Sequence, residues 1–230
     1  MQYLESSPFG LRAVFYRLKS SDHNLEFLVF PVTHIADPYF YNEITSRLSQ
    51  CDNLIFEGVK SRAGWFLVQS YKVMARKKSL GLVTQNSGMD LSKISIRRIH
   101  GDVSAEEFDA AWREIPLLFR VSILLLSPLY GAYKYFTATR ESIAAGRSFD
   151  DLKNQYDISE SDEEEALYNA ILHERDKKLL KTIESHIQED RKNPQVTAIV
   201  YGARHLPPIM AILFSRFGYR VAKAEWVNVI

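Results

Sequence analysis

A chain of 230 residues with 46% hydrophobic and 25% charged residues has the composition of an ordinary globular domain. Its formal net charge of +1 argues against a nucleic-acid partner, because proteins that bind nucleic acid concentrate basic residues on one surface. The only cysteine, Cys51, cannot form an intramolecular disulfide, which fits a reducing compartment. The first ten residues lack the basic start and apolar run of a signal peptide, so we expect a cytoplasmic protein.

The first strand-rich part of the chain centres on the apolar run LEFLVFPV at residues 25–32. A run that is apolar at nearly every position is typical of a strand that is covered on both faces of its sheet. Asp37 and Pro38 then predict a helix, since Asp is a favoured N-cap and Pro suits the first helical position. A second buried strand is expected at residues 54–56, and Glu57 follows it directly.

The middle of the chain is predicted to be mainly helical, with residues 104–156 forming a helical insertion. Residues 80–84 are a candidate for one further strand of the sheet. The sequence Ser104-Ala-Glu-Glu is a capping box, which marks the start of the inserted helices.

An apolar segment, residues 115–136, lies inside this insertion. Arg120, Pro128 and Lys134 interrupt it, and its longest uncharged stretch is shorter than the roughly 20 apolar residues of a membrane-spanning helix. We expect a buried helix, or a helical hairpin that breaks near Pro128. Peripheral membrane contact and a homodimer surface are the alternatives, and the first of these would make the protein membrane-associated.

The end of the chain repeats the design of the first strand-rich part. A β-branched strand at residues 196–201 precedes His205, two prolines start a helix, and residues 219–226 form a closing strand that contains Glu225. Parallel strands joined by a helical crossover are the expected form of such a unit. The prediction is an α/β (α+β) fold in a single domain of residues 1–230. Two pseudo-symmetric strand-His-helix-strand units form its central sheet core, with the mainly helical insertion in the middle.

Two histidines, His34 and His205, each follow one of the buried strands. A single histidine in such a position is more often structural, but ligands of open α/β sheets bind beyond the carboxyl ends of the strands, so a matched pair predicts one shared site. Imidazole is a common ligand of zinc and other transition metals, and a carboxylate often completes the set. Glu57 is the obvious carboxylate, because a buried carboxylate needs a cation. Pairing with Lys60, Arg62 or a distant arginine is the structural alternative.

The charged sequence HERDKK offers two further candidates, Arg175 and Asp176. In the simplest interpretation they belong to an exposed helix face with i,i+4 ion pairs. In the functional interpretation Arg175 points inward, where it orients Glu57 or holds a substrate carboxylate or phosphate. Arg204, inside the second histidine motif, is a similar candidate.

In their order and spacing, these motifs resemble those of the TraB, PrgY and GumN family, which includes the Tiki metalloproteases. That family belongs to a wider group with the erythromycin esterases and the ChaN-like haem-binding proteins. The resemblance spans about residues 25–226, and one departure is Pro31, where the family has glycine. The matching residues are Thr33-His34, Glu57 with Arg62, Glu174-Arg175-Asp176 and Gly202-Ala-Arg-His205, with weaker matches at Gln85 and His100-Gly-Asp102.

The resemblance implies two β-sheet halves related by pseudo-symmetry and a metal-dependent peptidase. A divalent metal ion, whose identity the sequence leaves open, is expected on His34, His205 and Glu57, and Arg175 is expected to join these three in catalysis. The expected substrate contacts are other polar residues of the motifs, namely Arg62, Gln85, Asp176 and Arg204.

Three functions are compatible with these residues. We favour a metal-dependent hydrolase, in particular a peptidase, that acts on a peptide or small molecule, with Glu57 as a metal ligand or general base. A second hypothesis, motivated by Pro31, is a non-catalytic binding protein for a peptide pheromone, haem or another small ligand. The third is a metal-free enzyme, in which His34 or His205 is the general base and Glu57 orients it.

Overall fold

The computed structural model describes residues 1–145, 161–190 and 192–230. The strands are β1 (Leu4–Ser7), β2 (Gly10–Lys19), β3 (Leu25–Val32), β4 (Ile35–Ala36), β5 (Asn53–Phe56), β6 (Val83–Thr84), β7 (Arg97–His100), β8 (Gln195–Gly202) and β9 (Arg220–Asn228). The α-helices are α1 (Pro38–Leu48), α2 (Arg62–Leu67), α3 (Gln69–Ala75), α4 (Gln85–Gly88), α5 (Ala105–Glu114), α6 (Leu117–Thr137), α7 (Asp162–Tyr168), α8 (Glu174–Asp190) and α9 (Leu206–Ser215). Residues 140–145 are also helical, and a π-helical turn, Asn169–His173, joins α7 to α8.

Seven of the strands form one mixed sheet. β3, β8, β5 and β7 lie side by side in that order and run parallel. β2 pairs antiparallel with β3, and both β9 and β1 pair antiparallel with β2. This sheet, with helices between its strands along the chain, confirms the predicted α/β fold.

The prediction of a further sheet strand at residues 80–84 is wrong in its position. Of these residues Val83–Thr84 is extended, and it pairs with β4 in a separate two-stranded sheet. The edge of the main sheet is instead β7, in which the basic Arg97 and Arg98 interrupt any apolar run. An edge strand tolerates such charges because it is partly solvated, so its sequence carries little of the hydrophobic signal that marks a central strand.

Helices cover both faces of the sheet. Because side chains alternate along a strand, β3 contributes to the core on each face. On one face, Phe30 and Val32 of β3 belong to a buried apolar cluster with Ile44 of α1. On the other face, Val29 of β3 belongs to a second buried cluster with Leu213 of α9. The nearly continuous apolar sequence of β3 therefore serves two hydrophobic cores, as the sequence predicts.

The helical connections of the two strand-His-helix-strand units run in opposite directions along the sheet. In the first unit α1 connects β3 to β5 across β8, and in the second α9 connects β8 to β9 across β3 and β2. The two helices lie on opposite faces, as right-handed crossovers in opposite directions require. β3 and β8 are thus neighbouring strands whose connections diverge. The crevice outside the carboxyl ends of such strands is the usual ligand site of an open α/β sheet.

The helical middle of the chain builds a third apolar cluster, which includes Phe108 and Trp112 of α5. The predicted capping box is present, since the Ser104 hydroxyl accepts from the backbone N–H of Glu107 while the Glu107 carboxylate accepts from the backbone of Ser104. Residues 146–156 of the predicted insertion lie outside the described residues.

The apolar segment forms α6, a helix of 21 residues that continues through Pro128, so the predicted break there is wrong. Proline removes one backbone hydrogen bond, and on an exposed helix water can satisfy the carbonyl that is freed. The predicted burial is wrong as well, because Leu118 and Leu129 are mostly exposed and the covered side of α6 faces α2 and α3. No single helix among the described residues is long and apolar enough to cross a membrane. α5 and α6 together, bent by 115°, have the necessary length and composition.

The centre of β8 carries a buried hydroxyl whose removal tests the packing of the sheet. Thr197 Oγ1 lies 2.7 Å from His186 Nε2 and 3.4 Å from Asn53 Nδ2. Thr197→Val keeps the shape of the side chain but deprives these buried groups of a partner, so the free energy of unfolding should fall by about 1–3 kcal/mol in urea titrations. The control Thr137→Val, at the exposed end of α6, should change it by less than about 0.5 kcal/mol. Equal losses in the two variants would contradict this role of Thr197.

Candidate functional site

Polar residues follow each of the four parallel strands, beyond the carboxyl ends of these strands. His34 comes two residues after β3, Glu57 directly after β5, Asp102 two residues after β7, and His205 three residues after β8. Parallel strands present their carboxyl ends at the same edge. The fold itself therefore gathers these four side chains.

The Glu57 carboxylate is held by two short hydrogen bonds. Its Oε1 accepts from Arg175 Nη2 at 2.6 Å, and its Oε2 accepts from the backbone N–H of Gly202 at 2.7 Å. A Cβ at position 202 would lie 3.2 Å from Oε2, so glycine allows this close approach. Burial alone would raise the pKa of Glu57, but the positive charge of Arg175, followed by that of His205 and His34, lowers the pKa to about 2. Glu57 is therefore an anion at neutral pH.

Arg175 links Glu57 to a second buried carboxylate, that of Asp102. The guanidinium donates from Nε to Asp102 Oδ1 at 2.9 Å and from Nη2 to Oδ2 at 2.7 Å, a two-point pairing that suits the planar group. Asp102 also accepts the backbone N–H groups of Gly58 and Val103. Burial opposes the charge of Arg175, but Glu57 and Asp102 outweigh it and raise the pKa of the guanidinium. One cation between two anions leaves this network with a net negative charge.

His205 is buried and paired with Asp176. Its Nδ1 lies 2.6 Å from Asp176 Oδ1, and its ring meets that of Tyr201 edge to face, with the centroids 4.9 Å apart. A carboxylate at Nδ1 favours the tautomer with the proton on that nitrogen, which leaves Nε2 as the basic atom. Within the described part of the chain, Nε2 has no hydrogen-bond partner. An imidazole oriented in this way can act as a general base or as a metal ligand.

The π-helical turn Asn169–His173 directly precedes the start of α8, which carries Arg175 and Asp176. Successive helical residues point about 100° apart, so Arg175 reaches Glu57 while Asp176 reaches His205. Such π-turns change the register of a helix and are frequent at functional sites. The exposed-face interpretation of HERDKK therefore does not describe Arg175 and Asp176, because both side chains lie mostly in the interior.

His34 is the exposed member of the predicted histidine pair. Its ring is tilted against that of Tyr71 in α3, with the centroids 5.0 Å apart, and its carbonyl accepts the backbone N–H of Gln85. The charge of His34 contributes to the low pKa of Glu57, as does that of His205. Both histidines thus lie within electrostatic range of one carboxylate.

The predicted substrate contacts occupy different environments. Arg62 is exposed at the first position of α2, and Gln85 is half-buried at the first position of α4. Arg204 is half-buried over the ring of Tyr168, at 5.6 Å, and forms no ion pair with a carboxylate of the described residues. Asp176 is buried and engaged by an imidazole, so it lies behind the site rather than lining open space.

The predicted metal ligands, His34, His205 and Glu57, do not form a ready-made group of three among the described residues. Zinc sites in proteins take at least three protein ligands. No three His, Cys, Asp or Glu side chains of the described ranges are grouped so that they could hold a metal ion. Both Glu57 oxygens already accept a short hydrogen bond, and His205 offers one nitrogen. A carboxylate oxygen keeps a second lone pair and one nitrogen suffices for a histidine ligand, so these bonds alone do not decide the matter and the divalent metal ion stays a prediction.

The sequence indicates neither a role for Asp102 nor the partner of His205. Asp102 follows an edge strand without an apolar run, so its strand-end position is not apparent from hydropathy. The order strand, then acidic residue, which singled out Glu57, is nevertheless repeated at β7 and Asp102. The pairing of Asp176 with His205 joins residues 29 positions apart, and no local pattern indicates it.

The low pKa of Glu57 predicts an acid-sensitive contribution to stability. Because the folded-state pKa is about 2 and the ordinary value is 4.5, this contribution is present above pH 4.5 and is lost as the pH falls toward 2. Glu57→Gln should therefore lower the free energy of unfolding by about 2–3 kcal/mol at pH 7, and by clearly less near pH 3, in urea titrations. Glu114→Gln, at the exposed end of α5, should change it by less than about 0.5 kcal/mol at both pH values. A Glu57→Gln deficit that does not vary with pH would contradict the charge assigned to Glu57.

Comparison of the chain with protein-family models, with curated proteins and with solved structures gives no match. The likeness of its motifs to those of the TraB, PrgY and GumN family therefore stays a prediction.

Proposed function

We propose that the chain is a hydrolase in which His205 activates water at the carboxyl ends of the parallel strands. The observation that carries the proposal is the buried pair of His205 and Asp176, 2.6 Å apart, within electrostatic range of the Glu57 anion. The pair lies where the connections of β3 and β8 diverge. A carboxylate behind an imidazole fixes the ring and stabilises its protonated form, which favours general-base catalysis.

In the proposed reaction, His205 Nε2 removes a proton from water while the water oxygen attacks the carbonyl carbon of an ester or amide. Asp176, at Nδ1, stabilises the imidazolium that forms, and the Glu57 anion does so at longer range. The imidazolium then returns the proton to the leaving oxygen or nitrogen, which takes the electron pair of the breaking bond. The products are a carboxylic acid and an alcohol or amine, and His205 is again neutral.

Arg175 acts in this proposal through Glu57 and does not contact the substrate. Its donors are directed to Glu57, Asp102 and the Ile171 carbonyl. The guanidinium therefore holds the Glu57 anion in place, which matches one of the two roles that the sequence suggests and leaves little capacity for an oxyanion. We assign Arg175 and Asp102 as positioning residues.

Arg204 is the residue best placed to recognise a substrate anion. It directly precedes His205, and among the described residues its guanidinium contacts the Tyr168 ring and no carboxylate. A guanidinium without an ion-pair partner can bind a carboxylate or phosphate, or a developing oxyanion. A peptide with a free carboxylate is therefore a suitable substrate class, with Gln85 and Arg62 as further expected contacts.

Asp176→Asn tests the proposed base. The asparagine amide can donate to Nδ1 and hold His205 in the wrong tautomer, so kcat/KM should fall by about 10³–10⁴-fold. The measurement is hydrolysis of p-nitrophenyl esters and of short peptides with a free carboxylate, with circular dichroism to confirm folding. The control Asp22→Asn lies in the turn before β3, at the amino end of the strand and away from the site, and should keep the wild-type rate. Undiminished hydrolysis by folded Asp176→Asn would rule out this base, and binding of the peptides without turnover would favour the non-catalytic alternative.

A second candidate function is the metal-dependent hydrolase that the sequence predicts. One observation favours it, namely the carboxylate behind His205, because a metal-binding imidazole usually donates its other N–H to such a group. The two candidates differ in their response to chelation. Activity that depends on His205 alone should survive dialysis against EDTA, whereas activity that is lost on dialysis and restored by a divalent metal ion would favour the second candidate.

A further inference from the structure

The outer face of α6 is an apolar surface that the described part of the chain leaves uncovered. At about 100° per residue, Leu118, Leu125, Leu129 and Phe136 lie within about 20° of one line along the helix. These four residues are 83%, 63%, 64% and 78% exposed, and Trp65 of α2 is also exposed. Large apolar side chains scattered singly over a surface need no explanation, but a continuous row of them marks a site of interaction.

The opposite side of α6 is used for packing within the chain. Gly131 approaches α3 so closely that a Cβ there would lie 2.7 Å from Ser70 Cα. Lys77 Nζ donates to the carbonyls of Phe136 and Ala138 at the end of α6. α6 is therefore held against α2 and α3, and it presents its apolar row as part of the folded chain.

The segments that form this group of helices are basic. Residues 58–80 and 115–140 together contain nine Lys and Arg residues and no Asp or Glu, which leaves 20 basic and 28 acidic residues for the rest of the chain. Within the ranges that the structure describes, Arg140 is the one member of the nine that pairs with a carboxylate, that of Asp37 at 3.1 Å. The three helices and the residues that flank them thus combine exposed apolar side chains with cations of which eight have no carboxylate partner among the described residues.

We propose that this surface, formed by α2, α3, the basic residues 76–78 that follow α3, and α6, docks on a membrane that contains anionic lipids, with α6 lying in the plane of the interface. Helices that bind membranes in this way combine an apolar face of Leu and aromatic residues with Lys and Arg. Indole and phenol rings suit the headgroup region, and each cation near an anionic surface adds to the attraction.

A second copy of the chain is a less suitable occupant of the surface. The common twofold dimer brings the same patch of both copies together. Such a dimer would set the basic segments of one copy against those of the other, and like charges at close range repel. Anionic headgroups instead neutralise these cations while the acyl region covers the apolar row.

Sedimentation of the full chain with lipid vesicles tests the proposal. The protein should pellet with vesicles of phosphatidylcholine that contain about one third phosphatidylserine, and much less with phosphatidylcholine alone. Leu125→Gln/Leu129→Gln should weaken binding by at least about tenfold, because two leucines no longer enter the apolar region. Arg76→Gln/Lys78→Gln should weaken it by roughly fivefold for each cation that is removed.

The matched controls lie outside this surface. Phe9→Gln removes an aromatic side chain that is 98% exposed, and Lys177→Gln removes an exposed cation of α8, so neither should change vesicle binding. Circular dichroism should show the wild-type fold for all four variants. The proposal is overturned if the wild type does not bind anionic vesicles or if the surface variants bind as well as the controls do. Self-association that Leu125→Gln/Leu129→Gln abolishes, without vesicle binding, would assign the surface to a second copy.

Discussion

The buried guanidinium of Arg175 is the interaction on which the strand-end site depends. It reaches from α8 to Glu57, after β5, and to Asp102, after β7, while Glu57 also accepts the backbone N–H of Gly202 in β8. Two buried carboxylates side by side repel each other, and each costs several kcal/mol to bury without a cation. One charge network therefore joins the ends of three neighbouring strands to one helix. Removal of the cation would leave two buried anions without compensation.

The placement of His205 follows from the same helix. Asp176 is the next residue after Arg175, so the position of α8 that pairs Arg175 with the two acids also sets the carboxylate behind the imidazole. Glu57 is an anion because Arg175, with the two histidines when they are protonated, outweighs the effect of burial on its pKa. Asp176 thus fixes the orientation of the ring that acts as the base in the proposed reaction.

Hydropathy and turn chemistry predict the central elements of the fold because these elements depend on local signals. The apolar run of β3 and the Asp37 cap of α1 both appear where the sequence indicates them. Pro31, the departure from the resembled motif, does not end β3, because the parallel ladder with β8 continues to Val32 opposite Gly202. β7 is not predicted, because a charged edge strand lacks an apolar run. The predicted burial of α6 is wrong, because hydropathy does not indicate whether the chain itself covers an apolar face.

The candidate site is predictable in its location and less so in its contacts. Strand ends and the repeated unit indicate where His34, Glu57 and His205 should lie. Ion pairs between distant segments, such as Arg175 with Asp102, depend on the three-dimensional arrangement, and the sequence HERDKK fits an exposed helix as well as a buried one. Burial decides between the two interpretations. The same limit applies to the metal, because residue types indicate possible ligands while the existing hydrogen bonds determine which lone pairs remain.

The position of the proton on the neutral His205 ring tests the proposed role of the strand-end site most directly. Nitrogen-15 NMR of the imidazole distinguishes a proton on Nδ1 from one on Nε2. We predict a proton on Nδ1, shared with Asp176, and an unprotonated Nε2. A proton on Nε2 would contradict the proposal, because that nitrogen would then have no lone pair with which to take a proton from water.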